Sequence, residues 1–347
     1  MTIIRALHKI ENEDQAALAQ VTLAETGDAF SVEPHETILA AALNAGVDLA
    51  HDCKTGFCGS CRIRLLDGEV VYDEEPLGLS EEERGCGFAL ACQARARMNL
   101  KISAELMPTD RVEPVEILSE VISVTQVCDD IIRLRLRPEG EMPAFQPGQY
   151  INVVTESGAT RSFSIASSPS EAEIDLHIRV IPGGMYTDGV LKGLIPGAKV
   201  HLHGPHGLFC LHAEDFRPLL LVATGTGIAP LRAMLAALKE DRDGPPVALY
   251  WGMREERELY LAEEIAALGA ELEDFSFVPV LSRAPEGVHR RGYVQDAVLA
   301  DLPDLSEHAI YLCGSPEMIA EARGRFLEAG ASVNHIYADS FHFAHNL

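Results

Sequence analysis

The hydrophobic rhythm of the chain changes twice, near residue 110 and near residue 215. Short apolar runs at Gln20–Leu23 and Ala29–Val32 flank a turn at Thr26-Gly27-Asp28, which predicts a hairpin. The run Thr37–Leu43 reads as a helix that Gly46 can end. Arg62–Leu66 and Val70–Tyr72 predict short strands around Asp67-Gly68. Ser80 followed by Glu81–Glu83 predicts a capped helical turn, and Leu100–Ile102 closes the unit. Residues 1–18 show no clear period and are expected to form a loose extension, which sets a first domain at 19–106. Pro108 and Pro114, with mixed charge between them, mark 107–114 as a linker.

Residues 115–214 are strand-rich. Arg133, Arg135 and Arg137 alternate with Leu134 and Leu136, and Asp175–Val180 alternates again, the period of β-strands. Turns at Pro147-Gly148, Pro182-Gly183-Gly184, Pro196-Gly197 and Gly204-Pro205 punctuate them, so a small antiparallel barrel is expected. In 215–347 the rhythm becomes strand, helix, strand. Leu219–Ala223, Val247–Trp251, Phe275–Val280 and Ala309–Leu312 are apolar throughout, as strands of a parallel α/β sheet are. The fold class is therefore multidomain, α+β followed by α/β.

Composition narrows the function. Hydrophobic residues make up 47% and charged residues 23%, which excludes a disordered chain, a collagen and a membrane bundle. The net charge of −25 is spread along the chain, disfavours nucleic acid and anionic membranes, and suits a partner with a basic docking face. Met1–Lys9 lacks a signal-peptide core, and the apolar stretch Pro218–Leu238 is broken by Gly225, Gly227, Pro230 and Arg232; a cytoplasmic protein with no membrane span is expected. Of eight cysteines, Cys53, Cys58, Cys61, Cys86 and Cys92 fall within forty residues, which in a long cytosolic chain points to a metal and not to a disulfide scaffold.

Cys53-x4-Cys58-x2-Cys61, with Cys92 thirty residues on, has the plant-type [2Fe–2S] spacing. Gly56 and Gly59 would let the loop backbone come close and aim N–H groups at sulfur. The alternative is a structural zinc site, but paired C-x2-C knuckles are the zinc pattern and only one half has that form. Cys86 competes as the fourth ligand; Cys92 is preferred because Leu90-Ala91-Cys92 follows an apolar run. Cys128 and Cys210 read as plain core residues.

Arg161-Ser162-Phe163-Ser164 offers a cation for a phosphate, an aromatic face and a hydroxyl for a flavin ring nitrogen. Pro182-Gly183-Gly184-Met185-Tyr186-Thr187 could turn backbone N–H groups toward a pyrophosphate. Alternatively these are barrel turns and Arg161 is a surface charge. Gly225-Thr226-Gly227-Ile228-Ala229-Pro230 follows an apolar strand and opens a helix, where a pyrophosphate is favoured. It is neither G-x-G-x-x-G nor a Walker loop. Cys313-Gly314-Ser315-Pro316-Glu317-Met318 repeats the strand–turn–helix logic, so two such turns suggest a dinucleotide crevice, although Cys313 could be a core cysteine. His201, His203 and His206 are read as a wet strand face in preference to a metal site. Selectivity between NADH and NADPH is expected around Gly252–Arg257: the acidic residues there disfavour a 2′-phosphate, whereas Arg254 and Arg257 could accept one, and NADH is favoured.

In this order the motifs resemble the single-chain reductase components of bacterial Rieske-type aromatic-ring-hydroxylating dioxygenases, naphthalene and terephthalate dioxygenase reductases among them. The likeness covers about residues 20–347 and includes His177-Ile178-Arg179 and the tail His335–Phe341. The resemblance implies an N-terminal β-grasp [2Fe–2S] ferredoxin domain, an FAD-binding barrel and an NAD(P)-binding domain. It implies metal ligands Cys53, Cys58, Cys61 and Cys92, and catalytic roles for Ser164 and Cys313, the latter near the nicotinamide. It places Arg161, Ser162, Phe163, Ser164, His177, Arg179, Gly183, Gly184, Met185, Thr187 and Phe341 at the cofactors, with Gly225, Thr226, Gly227, Gly314 and Met318 at the nucleotide. Phe163 departs from the Tyr more usual in the family, and so does the histidine-bearing end after Phe341.

A nicotinamide gives two electrons at once, a [2Fe–2S] cluster takes one, and a flavin can hold two and pass one, so the flavin belongs between them. The expected path runs from NAD(P)H through FAD and the cluster to a terminal oxygenase or an intermediate ferredoxin. The same chain could serve a diiron monooxygenase or a deoxysugar dehydratase. An iron–sulfur sensor or carrier without nucleotide chemistry is the alternative of another class. The resemblance implies a monomer.

Overall fold

The computed structural model describes residues 18–155, 158–212, 216–240, 244–283 and 289–341. The expected extension before residue 18, the end after Phe341 and the side chain of Met185 lie outside that description. The chain divides into two compact units between Thr109 and Asp110.

The first unit is built on a mixed five-stranded sheet ordered β2-β1-β7-β3-β5, comprising β1 (Ala19–Leu23), β2 (Ala29–Val32), β3 (Arg62–Asp67), β5 (Phe88–Leu90) and β7 (Leu100–Ala104). A small ladder joins β4 (Val70–Val71) to β6 (Arg95–Ala96). Strand β1 pairs with β2 antiparallel and with β7 parallel. Helix α1 (Ile38–Asn44) buries Ile38, Leu39, Ala41 and Ala42, and the Thr37 hydroxyl caps it by accepting the N–H of Ala40. Helix α2 (Glu81–Gly85) starts with a capping box in which Ser80 and Glu83 satisfy each other's N–H groups.

The second unit begins with six antiparallel strands in the order β11-β10-β13-β8-β9-β12. They are β8 (Val115–Cys128), β9 (Ile131–Pro138), β10 (Tyr150–Val154), β11 (Thr160–Ser164), β12 (Ile174–Arg179) and β13 (Lys199–His206). A bridge between Ile165 and Leu176 joins the edge strands and closes the barrel around Val121, Leu134, Leu136, Ile151, Leu176 and Leu202. A short helical stretch, Met185–Val190 running into α3 (Leu191–Gly193), follows β12.

The chain then forms an all-parallel sheet ordered β17-β16-β15-β14-β18-β19: β14 (Leu219–Thr224), β15 (Val247–Met253), β16 (Phe275–Leu281), β17 (Arg290–Arg291), β18 (Ala309–Gly314) and β19 (Ile336–Ser340). Helices α4 (Ile228–Leu238) and α5 (Ala262–Gly269) cover one face; α6 (Val294–Asp301) and α7 (Pro316–Glu328) cover the other. The strand order reverses between β14 and β18, and a ligand crevice is expected beyond their carboxyl ends.

The polar residues of the alternating strand β12, Asp175 and His177, are buried. Their face packs on the parallel-sheet domain instead of water. Arg133 of β9 bridges Asp175 (2.5 Å) and Glu264 of α5 (2.8 Å), and Arg232 of α4 pairs with Glu264 (2.8 Å) and Glu171 (2.5 Å). Burial alone would raise the Asp175 pKa, but the adjacent His177 ring and the Arg133 guanidinium outweigh it and hold it well below the usual carboxylate range. Arg133→Met is expected to cost about 2–3 kcal/mol, because buried Asp175 loses its guanidinium partner and half-buried Glu264 keeps only Arg232. The depressed folded pKa of Asp175 means that this stabilisation is complete above the unfolded value of about 4 and fades as pH falls toward the folded one. Thermal unfolding of both proteins should therefore differ by several degrees at neutral pH and converge in acid.

Candidate functional site

In the first unit, Cys58, Cys61 and Cys92 are buried, Cys53 is half-buried, and none is in a disulfide. The loop that carries three of them passes through left-handed Lys54 (φ 58°), Gly56 (φ 80°) and Gly59 (φ 80°). A Cβ on Gly56 would sit 2.8 Å from Gln93 Cγ, and one on Gly78 would sit 2.5 Å from the Phe57 carbonyl oxygen. The thiols meet in two pairs, Cys53 with Cys58 and Cys61 with Cys92. Within the first pair the shared hydrogen bond pushes Cys53 down and Cys58 up. Backbone N–H groups point at sulfur: Thr55 to Cys53 (3.4 Å), Ser60 to Cys58 (3.5 Å), and Gly56 to Cys92. Two thiol pairs with N–H donors to sulfur fit a two-iron cluster, one pair to each iron. Cys86 is exposed at the end of α2.

On the barrel, Ser164, Tyr150 and His206 lie directly opposite one another across β11, β10 and β13, which puts them on one face. The Tyr150 and His206 rings stack at 5.3 Å. In the next row the Ser162 hydroxyl donates to Asn152 Oδ1 (2.7 Å). Arg161 donates to the Thr160 carbonyl (2.8 Å) and pairs with no carboxylate among the described residues, so a cation stands ready for a phosphate. Phe163 packs toward the barrel core, 6.1 Å from the Tyr186 ring. The Gly183 N–H donates to Asp188 Oδ2 (2.9 Å), the Gly184 N–H to the Ile181 carbonyl (2.9 Å), and Thr187 Oγ1 accepts from Ile181 N–H (3.0 Å), so the turn satisfies its own donors. The hydroxyl-and-aromatic face, with a guanidinium on the same strand, fits an FAD.

Asp339 of β19 was not singled out from the sequence. Its Oδ2 accepts the Ser164 hydroxyl at 3.2 Å, which joins the barrel face to the edge of the parallel sheet. Tyr337, Asp339 and Phe341 share a face by strand period, and that was the available signal.

A cleft of about 500 Å³ opens at the switch point, lined by Gly225, Thr226, Gly314, Met318, Phe341 and Arg179 among others. Glycines on its wall and beneath it are needed for close approach. A Cβ on Gly227 would fall 2.2 Å from the Cys313 carbonyl oxygen, and one on Gly314 (φ 145°) 2.2 Å from Thr224 Oγ1. Ser315 caps α7 by accepting the Met318 N–H (3.3 Å). Such a cradle of small residues at helix starts fits a dinucleotide pyrophosphate. Arg179 reaches this cleft from the barrel. Cys313 is fully buried below it, and burial pushes its thiol well above the ordinary value. His177 is buried against Tyr260 and does not line the cleft. Neither arginine proposed for a 2′-phosphate stands alone: Arg254 pairs with Asp130 (3.0 Å) and Glu258 (2.7 Å), and Arg257 with Asp129 (2.9 Å) and Glu255 (2.8 Å). His201 is exposed, whereas His203 and His206 are half-buried with ring nitrogens 2.9 Å apart.

Comparison with known proteins agrees with this anatomy. Residues 21–97 match the 2Fe-2S iron-sulfur cluster binding domain, 119–210 the oxidoreductase FAD-binding domain, and 221–324 the oxidoreductase NAD-binding domain. The chain is 35% identical over 323 residues to the reductase subunit of an aromatic O-demethylase from Amycolatopsis sp., covering 91% of this chain and 96% of that one. It is 33% identical to the CDP-6-deoxy-L-threo-D-glycero-4-hexulose-3-dehydrase reductase of Yersinia pseudotuberculosis (92% and 98% covered). It is 32% identical to the ferredoxin–NAD(P)+ reductase component of the naphthalene 1,2-dioxygenase/salicylate 5-hydroxylase systems of Ralstonia sp. (90% and 95% covered). No helix among the described residues is long and apolar enough to cross a membrane. The chain belongs to the family of single-chain reductase components, oxidoreductases that join a [2Fe–2S] ferredoxin domain to FAD-binding and NAD-binding domains.

Proposed function

We propose that this protein is the NADH-dependent reductase of a terminal Rieske aromatic-ring-hydroxylating oxygenase, reached directly or through an intermediate ferredoxin, and that it works as a cytoplasmic monomer. The observation that carries the electron path is the Ser164–Asp339 hydrogen bond, which brings the barrel face and the dinucleotide cleft to one place. FAD supplies the conversion of a two-electron hydride into single-electron transfers. Around it Ser164 offers a hydroxyl oriented by Asp339, Arg161 offers the phosphate cation, and Phe341 stands at the cleft wall. Gly225, Gly227 and Gly314 admit the pyrophosphate. In the first unit Cys53, Cys58, Cys61 and Cys92 hold the cluster. The carboxylates on Arg254 and Arg257 support NADH over NADPH, since a 2′-phosphate would have to displace them.

Ser164→Ala is expected to slow NADH-driven bleaching of the flavin about tenfold or more in stopped flow. A wild-type rate would remove Ser164 from the reaction. The acceptor is tested separately, by mixing NADH and the holoprotein with a purified Rieske oxygenase, a diiron monooxygenase and a deoxysugar dehydratase. Turnover with the Rieske oxygenase at least about tenfold above the others is expected. The dehydratase is the second reading, because its Yersinia reductase is as similar to this chain as the naphthalene component is.

A further inference from the structure

Strand β12 presents Asp175, His177 and Arg179 on one face by its period, and each connects to a different part of the parallel-sheet domain, Asp175 only indirectly, through Arg133 and Glu264 of α5. Asp175 meets Arg133, and Arg179 ends beside the glycine turn, where a Cβ on Gly225 would lie 2.8 Å from its Nη2. His177 lies between them, with Nδ1 3.1 Å from the Tyr260 hydroxyl and Nε2 3.5 Å from Asp175 Oδ1. A carboxylate opposite Nε2 favours the proton on that nitrogen, so Nδ1 accepts and Tyr260 donates. The Tyr260 ring meets the Trp251 ring edge-on at 5.4 Å, and Trp251 Nε1 donates to the Gly225 carbonyl at 2.9 Å. Gly225 is the left-handed residue (φ 58°) that opens the dinucleotide turn. An unbroken series of contacts thus runs from the flavin barrel to that carbonyl.

We propose that His177 and Tyr260 are positioning residues for the dinucleotide: through Trp251 they fix where the Gly225 turn stands over the cleft, and so set NADH affinity. His177 then acts on the nucleotide without touching it, and does not serve as a flavin contact. The proposal rests on the reading of the cleft as the NADH site.

Tyr260→Phe removes one hydroxyl and keeps the ring against Trp251. In the full-length holoprotein, with ferricyanide as acceptor, it should raise KM for NADH about fivefold and leave kcat within about twofold, the size expected from one buried hydrogen bond. Trp251 is the single tryptophan of the chain, so its emission during NAD+ titration gives an independent dissociation constant, which should weaken by the same factor. His177→Gln, whose amide oxygen can still accept from Tyr260, should show a smaller change and stands in if Tyr260→Phe does not fold. Leu305→Val, buried under the opposite sheet face, is the control for lost stability and should leave KM unchanged. An unchanged KM in Tyr260→Phe, or an equal rise in Leu305→Val, overturns the proposal. A wild-type protein that responds to neither NADH nor NAD+ overturns the reading of the cleft itself.

Discussion

Cys92→Ser is expected to cut NADH-driven reduction of a one-electron protein acceptor such as cytochrome c by more than about 100-fold. The reason is the pairing of the thiols. Cys92 follows β5, which the Arg62–Leu90 and Ile63–Ala89 register locks against β3, and it meets Cys61 from across the loop. A serine hydroxyl is a harder and poorer ligand for an iron–sulfur centre than a thiolate, so one of the four anchors is weakened, while its size leaves the surrounding core of Leu90, Ala91 and Ala94 in place. Iron–sulfur absorption should be lost. Reduction of ferricyanide, which can draw on the flavin, should persist because the FAD-binding and NAD-binding domains lie in the other compact unit. Cys86→Ser is the matched comparison: that thiol is exposed at the end of α2, and its loss should leave both activities intact. Loss of the cluster in Cys86→Ser with retention in Cys92→Ser would reassign the fourth ligand.

The cysteine spacing and the parallel strands were legible because they are local. Four thiols and two glycines sit in or near one loop, and a strand buried on both faces is apolar along its whole length whatever covers it. The alternation in β12 was equally clear but said nothing of the environment on either side. A period of two says that a strand has two unlike faces, not whether the polar one meets water or another domain. Asp175 and His177 are polar because their neighbours are Arg133 and Tyr260, partners 42 and 83 residues away in sequence. Asp339 was missed for the same reason. An aspartate in a tail strand acquires meaning only when Ser164, 175 residues distant, is found beside it. Arg254 shows the converse case. Its charge was visible, but Asp130 and Glu258, which hold it, were not recognised as its neighbours.

Gly227→Ala is expected to lower kcat/KM for NADH by about 100-fold, the cost of a displacement of roughly 1 Å in a positioned reactant. The backbone at this residue is helical (φ −60°, ψ −12°), so alanine meets no conformational penalty. The obstacle is space. The new methyl would stand 2.2 Å from the Cys313 carbonyl oxygen and 2.5 Å from its carbon. Neither atom can move, because β18 is paired with β14 on one side and β19 on the other throughout Ile310–Cys313. The turn must rise instead, away from the strand and into the space where the pyrophosphate enters, at an overpacking cost of about 1–3 kcal/mol. Gly225→Ala differs in kind. Its φ of 58° imposes backbone strain, but the atom it strikes is the far end of the Arg179 side chain, which can swing aside. Its loss should be smaller, about tenfold. Gly189→Ala, with nothing within 4 Å, should bind NADH as the wild type does. Steady-state kinetics with saturating ferricyanide, together with flavin content, would rank the three. If Gly227→Ala keeps its FAD and wild-type kcat/KM, the pyrophosphate does not enter over this turn. The dinucleotide would then have to lie elsewhere along the cleft, against Gly314 and the start of α7.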